Sequence, residues 1–288
     1  MTPENRSFDN LIGKICDAVR ACGDSVIVAL SGGVDSTVMA ALATKTLGRE
    51  RVLCVCAKSE SNTGDDVELC RAIARDHGLQ LEVIEYSELA IPQYASNPAN
   101  RCYFCKSELY TRLSRIAHER GFCAVLDGSN ADDGGDYRPG LKAVREEGVR
   151  SPLRECGATK DDVRAIAELY GLPNFDKPSS PCLSSRIPYG SEITGEKLQQ
   201  VAAAEKFLRG IGLRNFRCRH HGDIARLEVA PDEFSTLLSH RDAVVAELRR
   251  AGFKWVSMDL AGFVSGSLNA VLTPEIRGLH TDSEPRQA

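Results

Sequence analysis

Ser25–Leu47 reads SVIVALSGGVDSTVMAALATKTL. Its first six residues form a short apolar run suited to a strand buried on both faces, and Thr37–Leu47 reads as a helix. Between them lies Ser31-Gly32-Gly33-Val34-Asp35-Ser36. A loop joining a buried strand to a helix start offers free backbone N–H groups to an anion, and glycines let a phosphate approach closely. Ser31 and Ser36 add hydroxyl donors, and Asp35 is placed to hold the Mg²⁺ that accompanies a pyrophosphate. A plain βα turn with incidental glycines leaves the agreement of all six residue types unexplained. No G-x-x-x-x-G-K-[ST] occurs, so this is not a γ-phosphate loop of the Walker kind.

The same alternation extends on both sides. Phe8, Leu11, Ile12, Ile15, Cys16 and Val19 have the i, i+3, i+4 spacing of an amphipathic helix that ends by Gly23. After the glycine loop come a strand over Arg51–Ala57, a helix near Asp65–His77, a strand over Leu81–Tyr86, a helix near Lys106–Arg120 and a strand over Cys123–Asp127. Strands alternating with helices predict a parallel sheet with helices on both faces. The Asp/Gly/Arg-rich stretch from Asn130 to Arg154 is expected to be a loop over the strand ends. Thr159 to Asp162 spells a capping box for a helix to Tyr170, closed by Gly171. Three prolines in KPSSPCLSSRIPYG (177–190) exclude regular structure from most of that stretch.

From Thr194 the pattern changes. A helix over Glu196–Arg209, strands over Asn215–His220 and Ile224–Val229, a helix from Pro231 to Arg250 and a strand over Phe253–Asp259 make an α-β-β-α-β unit. The expected organisation is therefore an α/β parallel-sheet domain over residues 1–189 and a smaller C-terminal α+β domain over 190–274. The polar tail, 275–288, is expected to be disordered.

The 288 residues are 42% apolar and 26% charged, as in ordinary soluble enzymes. A net charge of −4 gives no global pull toward nucleic acid or anionic membrane. No apolar run approaches ~18 residues and no secretory signal is visible, so a cytoplasmic protein is expected. In a reducing compartment its eleven cysteines are expected to be buried, metal-binding or catalytic rather than disulfide-bonded. Cys16, Cys54, Cys56, Cys70 and Cys123 sit in apolar segments and read as small buried hydrophobes.

Three further features carry chemistry. Cys182 lies in the proline-rich stretch, which is not expected to pack as core, with Arg186 close by to supply the cation that a thiolate needs. Cys102 and Cys105 form a C-x-x-C pair that can be structural, redox-active or metal-binding; no second pair is spaced to complete a zinc site. With Cys182 the pair could supply three ligands to an Fe–S cluster, a use the sequence does not favour. Arg217, Arg219 and His221 share one face of a strand, with Phe216 and Cys218 on the other. Two planar guanidinium forks two residues apart suit a phosphate, although an exposed basic strand face is the alternative. The adjacent His220 and His221 point to opposite sides and do not read as a metal pair.

SGGVDS resembles the PP-loop of the ATP pyrophosphatase superfamily, whose members split ATP to AMP and pyrophosphate and adenylate a carbonyl or carboxylate. NPANRCYFCK (97–106), DGSNADDGGDYRPG (127–140) and PCLSSRIPYG (181–190) narrow the likeness to the LarE family of sacrificial sulfur transferases, over roughly residues 8 to 270. The resemblance implies ATP and Mg²⁺ as cofactors, a pyridinium dicarboxylate mononucleotide as substrate and a homo-oligomer. It implies that Cys182 gives up its sulfur and is left as dehydroalanine, on the way to the nickel-pincer nucleotide of lactate racemase. It also favours a substrate-phosphate clamp at Arg217 and Arg219, and Tyr103 is a candidate to stack on the pyridinium ring. A PP-loop tRNA thiolase working through a persulfide is the alternative enzyme, but no RNA-binding domain is recognisable and the charge is unfavourable. A non-enzymatic Fe–S or metal protein with a vestigial loop is the alternative from another class. A glutamine-dependent amidotransferase would need a further catalytic domain that is not apparent.

Overall fold

The computed structural model describes residues 3–62, 64–135, 139–178, 181–264 and 266–273. Four strands, β1 (Val26–Ala29), β2 (Val52–Lys58), β3 (Gln80–Glu85) and β4 (Ala124–Leu126), lie in the order β3-β2-β1-β4, and every pairing is parallel. Successive side chains of a strand point to opposite faces. Val26 and Val28 therefore enter one core with Val52, Cys54 and Cys56, while Ile27 enters another with Leu53, Val55 and Val125. The first core is covered by α1 (Pro3–Arg20), α2 (Val34–Leu47), α3 (Gly64–Asp76) and α8 (Lys160–Leu169). The second is covered by α5 (Arg101–Arg120) and α6 (Gly140–Glu146). Burial on both faces is why β1 and β2 read as unbroken apolar runs.

The capping box is present as expected: Thr159 Oγ1 accepts from Asp162 N, and the Asp162 side chain accepts from Thr159 N. Other expectations need correction. The stretch from Asn130 to Arg154 is not simply loop. It contains a 3₁₀ turn at Ala131–Gly135, α6 and the single turn α7 (Pro152–Glu155). Its aspartates serve as local acceptors, Asp133 for Asn130 N and Asp132 for Lys160 N. Helix α5 begins at Arg101 rather than Lys106, which puts Cys102 and Cys105 on its first turns. Cys123 is exposed and Cys16 only partly buried, whereas Cys54, Cys56 and Cys70 are core. Cys123 lies just before the edge strand β4, where its sulfur meets Ser25 Oγ at 3.8 Å.

Near the C-terminus, β5 (Phe216–His221) pairs antiparallel with β6 (Ile224–Val229), and β6 pairs parallel with β7 (Trp255–Met258). Phe216 and Cys218 face a separate core with residues of α9 (Gly195–Gly210) and α11 (Arg241–Arg250). The helix expected over Pro231–Arg250 is broken into a 3₁₀ turn at Pro231–Glu233, α10 (Phe234–Ser239) and α11. At the break, Ser239 Oγ donates to Thr236 O and His240 Nδ1 also lies 2.9 Å from that carbonyl, local bonds that compete with a continuous ladder.

The proline-rich stretch does pack as core. Leu183 and Ile187 are buried with Tyr94 of the single turn α4 (Pro92–Ala95) and with Ile193, Leu198 and Val201. Leu183–Arg186 forms a 3₁₀ turn. Proline removes a backbone donor and fixes φ, but neither prevents burial of its neighbours. The expected disordered tail, 275–288, lies outside the described residues.

Candidate active site

Parallel strands deliver their C-terminal ends to one edge of a sheet, where ligands of such folds bind. The loop after β1 occupies that edge. Gly32 has φ +74°, a left-handed conformation that glycine adopts without strain. Gly33 is the N-cap of α2 with no side-chain cap, so the first N–H groups of the helix stay available to an anion. Ser31 Oγ and Ser36 Oγ lie 3.1 Å apart, and Ser36 Oγ donates to Gly33 O. Asn174 Nδ2 donates to Gly32 O and to Thr37 Oγ1, fixing the loop from behind.

Asp35 is on the first turn of α2, not in an exposed loop. Its Oδ2 lies 2.5 Å from Lys160 Nζ and its Oδ1 accepts from Asn130 Nδ2 at 2.9 Å. Lys177 Nζ adds a second ammonium, 3.3 Å from Gly32 O and 3.0 Å from Asp66 Oδ1. Among the described residues no group of three or more His, Cys, Asp or Glu side chains is placed to hold a metal ion. Asp35 therefore offers a metal one protein carboxylate, beside the Ser36 hydroxyl.

Cys182 is the N-cap of the 3₁₀ turn and is partly buried. The turn is anchored on two sides: Leu183 N donates to Ser61 O just beyond β2, and Ser185 O accepts from Arg219 NH1. Burial raises the Cys182 thiol above its ordinary range, and Arg101 is the leading opposing influence. Cys102 and Glu88 raise it further, while Arg186 lowers it less than Arg101 does. Arg101 and Arg186 both act as cations on the thiol, Arg101 the more strongly. Arg186 is 1% exposed and closes its fork on Glu205, with Nε–Oε1 2.7 Å and NH2–Oε2 2.8 Å. Its NH1 donates to Cys182 O, so it holds the main chain of the cysteine. Cys105 donates to Glu88 Oε1 at 2.6 Å, and Tyr94 and Ser59 donate to Glu88 Oε2.

The two β5 arginines differ. Arg219 is 7% exposed and places its donors on Glu228, Ser185 O and Ser267 Oγ. Arg217 is half-buried, with its guanidinium over the Phe263 ring. Burial first, then the nearby Arg186, pushes Arg217 down to about 10, still a full cation at neutral pH. Tyr103 faces α6: its hydroxyl donates to Glu146 Oε2 at 2.6 Å and Lys142 lies over its ring. His220 bonds Gln200 and His221 accepts from Arg226, so the two histidines share no ligand.

Sequence reasoning missed Lys160, Lys177, Asn130, Arg101, Asn97 and Glu88. Two of them carried a signal. Lys160 and Arg101 are the first residues of α8 and α5. A cation there opposes the helix dipole, so another partner must favour it.

A family model described as NAD synthase matches residues 8–112. The uncharacterized protein slr1717 of Synechocystis sp. is 45% identical over 87% of this chain and 94% of its own length. The pyridinium-3,5-bisthiocarboxylic acid mononucleotide synthase of Lactiplantibacillus plantarum is 41% identical over 86% of this chain and 90% of its own. A glutamine-hydrolyzing GMP synthase of Bdellovibrio bacteriovorus is 32% identical over 63% of this chain and 40% of its own. The identity to the Lactiplantibacillus synthase, over most of both chains, makes this chain a member of the LarE family of PP-loop, ATP-using enzymes.

Proposed function

We propose that the protein adenylates a carboxylate of a pyridinium dicarboxylate mononucleotide with ATP and replaces the adenylate with the sulfur of Cys182. The observation that carries this reading is the anchoring of the Cys182 turn, to Ser61 beside the glycine-loop edge and to Arg219 on β5. A nucleophile set between a phosphate loop and an arginine cluster suits a substrate that is activated at one end and held by its phosphate at the other.

The α2 N-terminus, Ser31 and Ser36 receive the ATP phosphates, and Lys160 and Lys177 add charge. Asp35 would hold a Mg²⁺ bound with the nucleotide, since one carboxylate plus phosphate oxygens is an ordinary set for that ion. Such an ion would neutralise the departing pyrophosphate. Arg217 is the residue poised for the substrate phosphate, with Arg219 positioning the Cys182 turn through Ser185 O. The Cys182 thiolate attacks the acyl-adenylate and AMP leaves, giving a thioester. Removal of the Cys182 Cα proton then breaks Cβ–S, the electron pair stays on sulfur, and a thiocarboxylate and dehydroalanine result. The product class suits the nickel-pincer nucleotide of lactate racemase.

Intact-protein mass spectrometry before and after incubation with ATP, Mg²⁺ and the pyridinium nucleotide tests this. The spent chain should be lighter by the mass of H₂S, with the loss mapped to Cys182 and product stopping near one thiocarboxylate per chain. Cys182→Ser should still release pyrophosphate and make no thio-product. Cys102, one of the groups that raise the Cys182 thiol, favours a second reading: Cys182 takes a persulfide from an added sulfane-sulfur donor, its outer sulfur displaces AMP, Cys102 releases the thiocarboxylate by closing a Cys102–Cys182 disulfide, and an added thiol reduces that disulfide. Repeated turnover with an added sulfur source, at unchanged cysteine mass, would select it.

A further inference from the structure

We propose that Arg101 holds the Cys182 sulfur as an anion, first as the attacking thiolate and then as the departing thiocarboxylate. The inference rests on Cys182 being the sulfur donor, and it names the side chain that makes that sulfur reactive.

Three buried arginines surround this part of the molecule, and only one lacks a counter-ion among the described residues. Arg186 is paired with Glu205 and Arg219 with Glu228. Arg101, 2% exposed, has no carboxylate within ion-pair distance among those residues. Its NH1 donates to the neutral Oδ1 of Asn97 at 2.7 Å, and its guanidinium lies 5.1 Å from the centre of the Tyr189 ring. Its Nε is buried without any hydrogen-bond partner among the described residues. A buried, uncompensated cation is strongly destabilising, so its retention points to an anion that arrives in the working enzyme.

Asn97 locates that anion. The same side chain that receives Arg101 donates through Nδ2 to Ile187 O, Pro188 O and Ser191 O, fixing Arg101 to the chain that follows Cys182. Asn97 has φ +54°, in the left-handed region that asparagine tolerates better than most residues. The charged and titratable groups facing Cys182 are Arg101, Cys102 and Cys105 from α5, Glu88 and Tyr94 from the segment before it, and Arg186 from its own turn. Glu88 is saturated by Cys105, Ser59 and Tyr94, and Arg186 by Glu205. Arg101 is the cation left to meet a sulfur anion, and it is the strongest influence favouring the Cys182 thiolate. The same charge serves both steps, because the pair of electrons released when Cβ–S breaks returns to that sulfur.

The test is alkylation of Cys182 by iodoacetamide in the full chain, followed by peptide mass spectrometry from pH ~6 to ~10, a range spanning ordinary thiol ionisation. In Arg101→Met the rate at neutral pH should fall about tenfold or more, the midpoint should move up by about one unit, and the alkaline limit should match wild type. Arg101→Lys should restore much of the neutral-pH rate. Arg101→Gln, which keeps a donor for Asn97 without the charge, should behave like Arg101→Met and serves if the methionine variant does not fold. A superimposable profile in the uncharged variants would overturn the proposal. So would an equal drop at every pH, which reports a disturbed fold. Alkylation reads Arg101 alone; thio-product formed by Cys182→Ser would instead remove the sulfur-donor reading.

Discussion

The ammonium of Lys160 sits 2.5 Å from Oδ2 of Asp35, at the first turn of the helix that follows the glycine loop. Asn130 holds the other carboxylate oxygen at 2.9 Å. The carboxylate and ammonium that ATP chemistry would use are thus paired with each other, each keeping the other oriented toward the loop. Asp35→Ala should abolish pyrophosphate release while circular dichroism shows the fold intact. Lys160→Ala should raise the ATP concentration needed for half-maximal release roughly ten- to hundred-fold, the worth of one charge-assisted hydrogen bond of about 1.5–3 kcal/mol. Wild-type ATP dependence in Lys160→Ala would remove the lysine from the site and leave the loop assignment standing.

Arg217 and Arg219 should separate in experiment although they are two residues apart. Arg219 is enclosed with Glu228, and removing one partner of a buried pair typically costs about 3–5 kcal/mol. Arg219→Ala should therefore show a large loss of stability in urea. Arg217→Ala should change stability by less than about 1 kcal/mol, yet weaken binding of the pyridinium nucleotide roughly ten- to hundred-fold with ATP binding little changed. Equal loss for both ligands on calorimetric titration would mean that Arg217 serves the ATP side or the fold.

Gly128 follows β4 and backs onto the start of α2. A Cβ there would lie 2.5 Å from Ser36 N and 2.7 Å from Ser36 Cα, both backbone atoms with little freedom to yield. Gly128→Ala should cost about 1–3 kcal/mol of stability, the usual penalty for overpacking, and should also weaken ATP binding by displacing the helix N-terminus. Urea unfolding and an ATP titration on one preparation check both effects. An unchanged ATP affinity would show that the helix start is not part of the nucleotide site.

Cys54 on β2 is fully buried, and burial pushes its thiol from 9.0 to about 12. In the unfolded chain it ionises near 9, so its contribution to stability is complete below that pH and is lost as pH rises toward 12. Between pH ~8 and ~10.5 this one thiol should cost roughly 2 kcal/mol of folding free energy. Cys54→Val, which keeps an apolar side chain but cannot ionise, should lose about that much less over the same interval in urea titrations. Parallel losses in the two proteins would mean that the thiol ionises equally in both states.

The sequence by itself determined the doubly covered parallel sheet, because β1 and β2 are apolar at every buried position and alternate with helices of matching periodicity. It determined the glycine loop, whose conformation and helix start follow from a contiguous run of six residues, and the capping box of α8. It also marked Cys182, through the unusual run PCLSSRIPYG. Only the tertiary structure decided which charges serve these motifs. Lys160 reaches Asp35 across 125 positions of chain, and Arg101, on α5, is tied through Asn97 to the chain just after the Cys182 turn. Arg186, the cation nearest in sequence, is closed on Glu205 instead. Local pattern fixes backbone conformation because neighbours interact through short, ordered contacts. The partner of a buried charge is set by which elements pack together, and burial makes that long-range pairing compulsory.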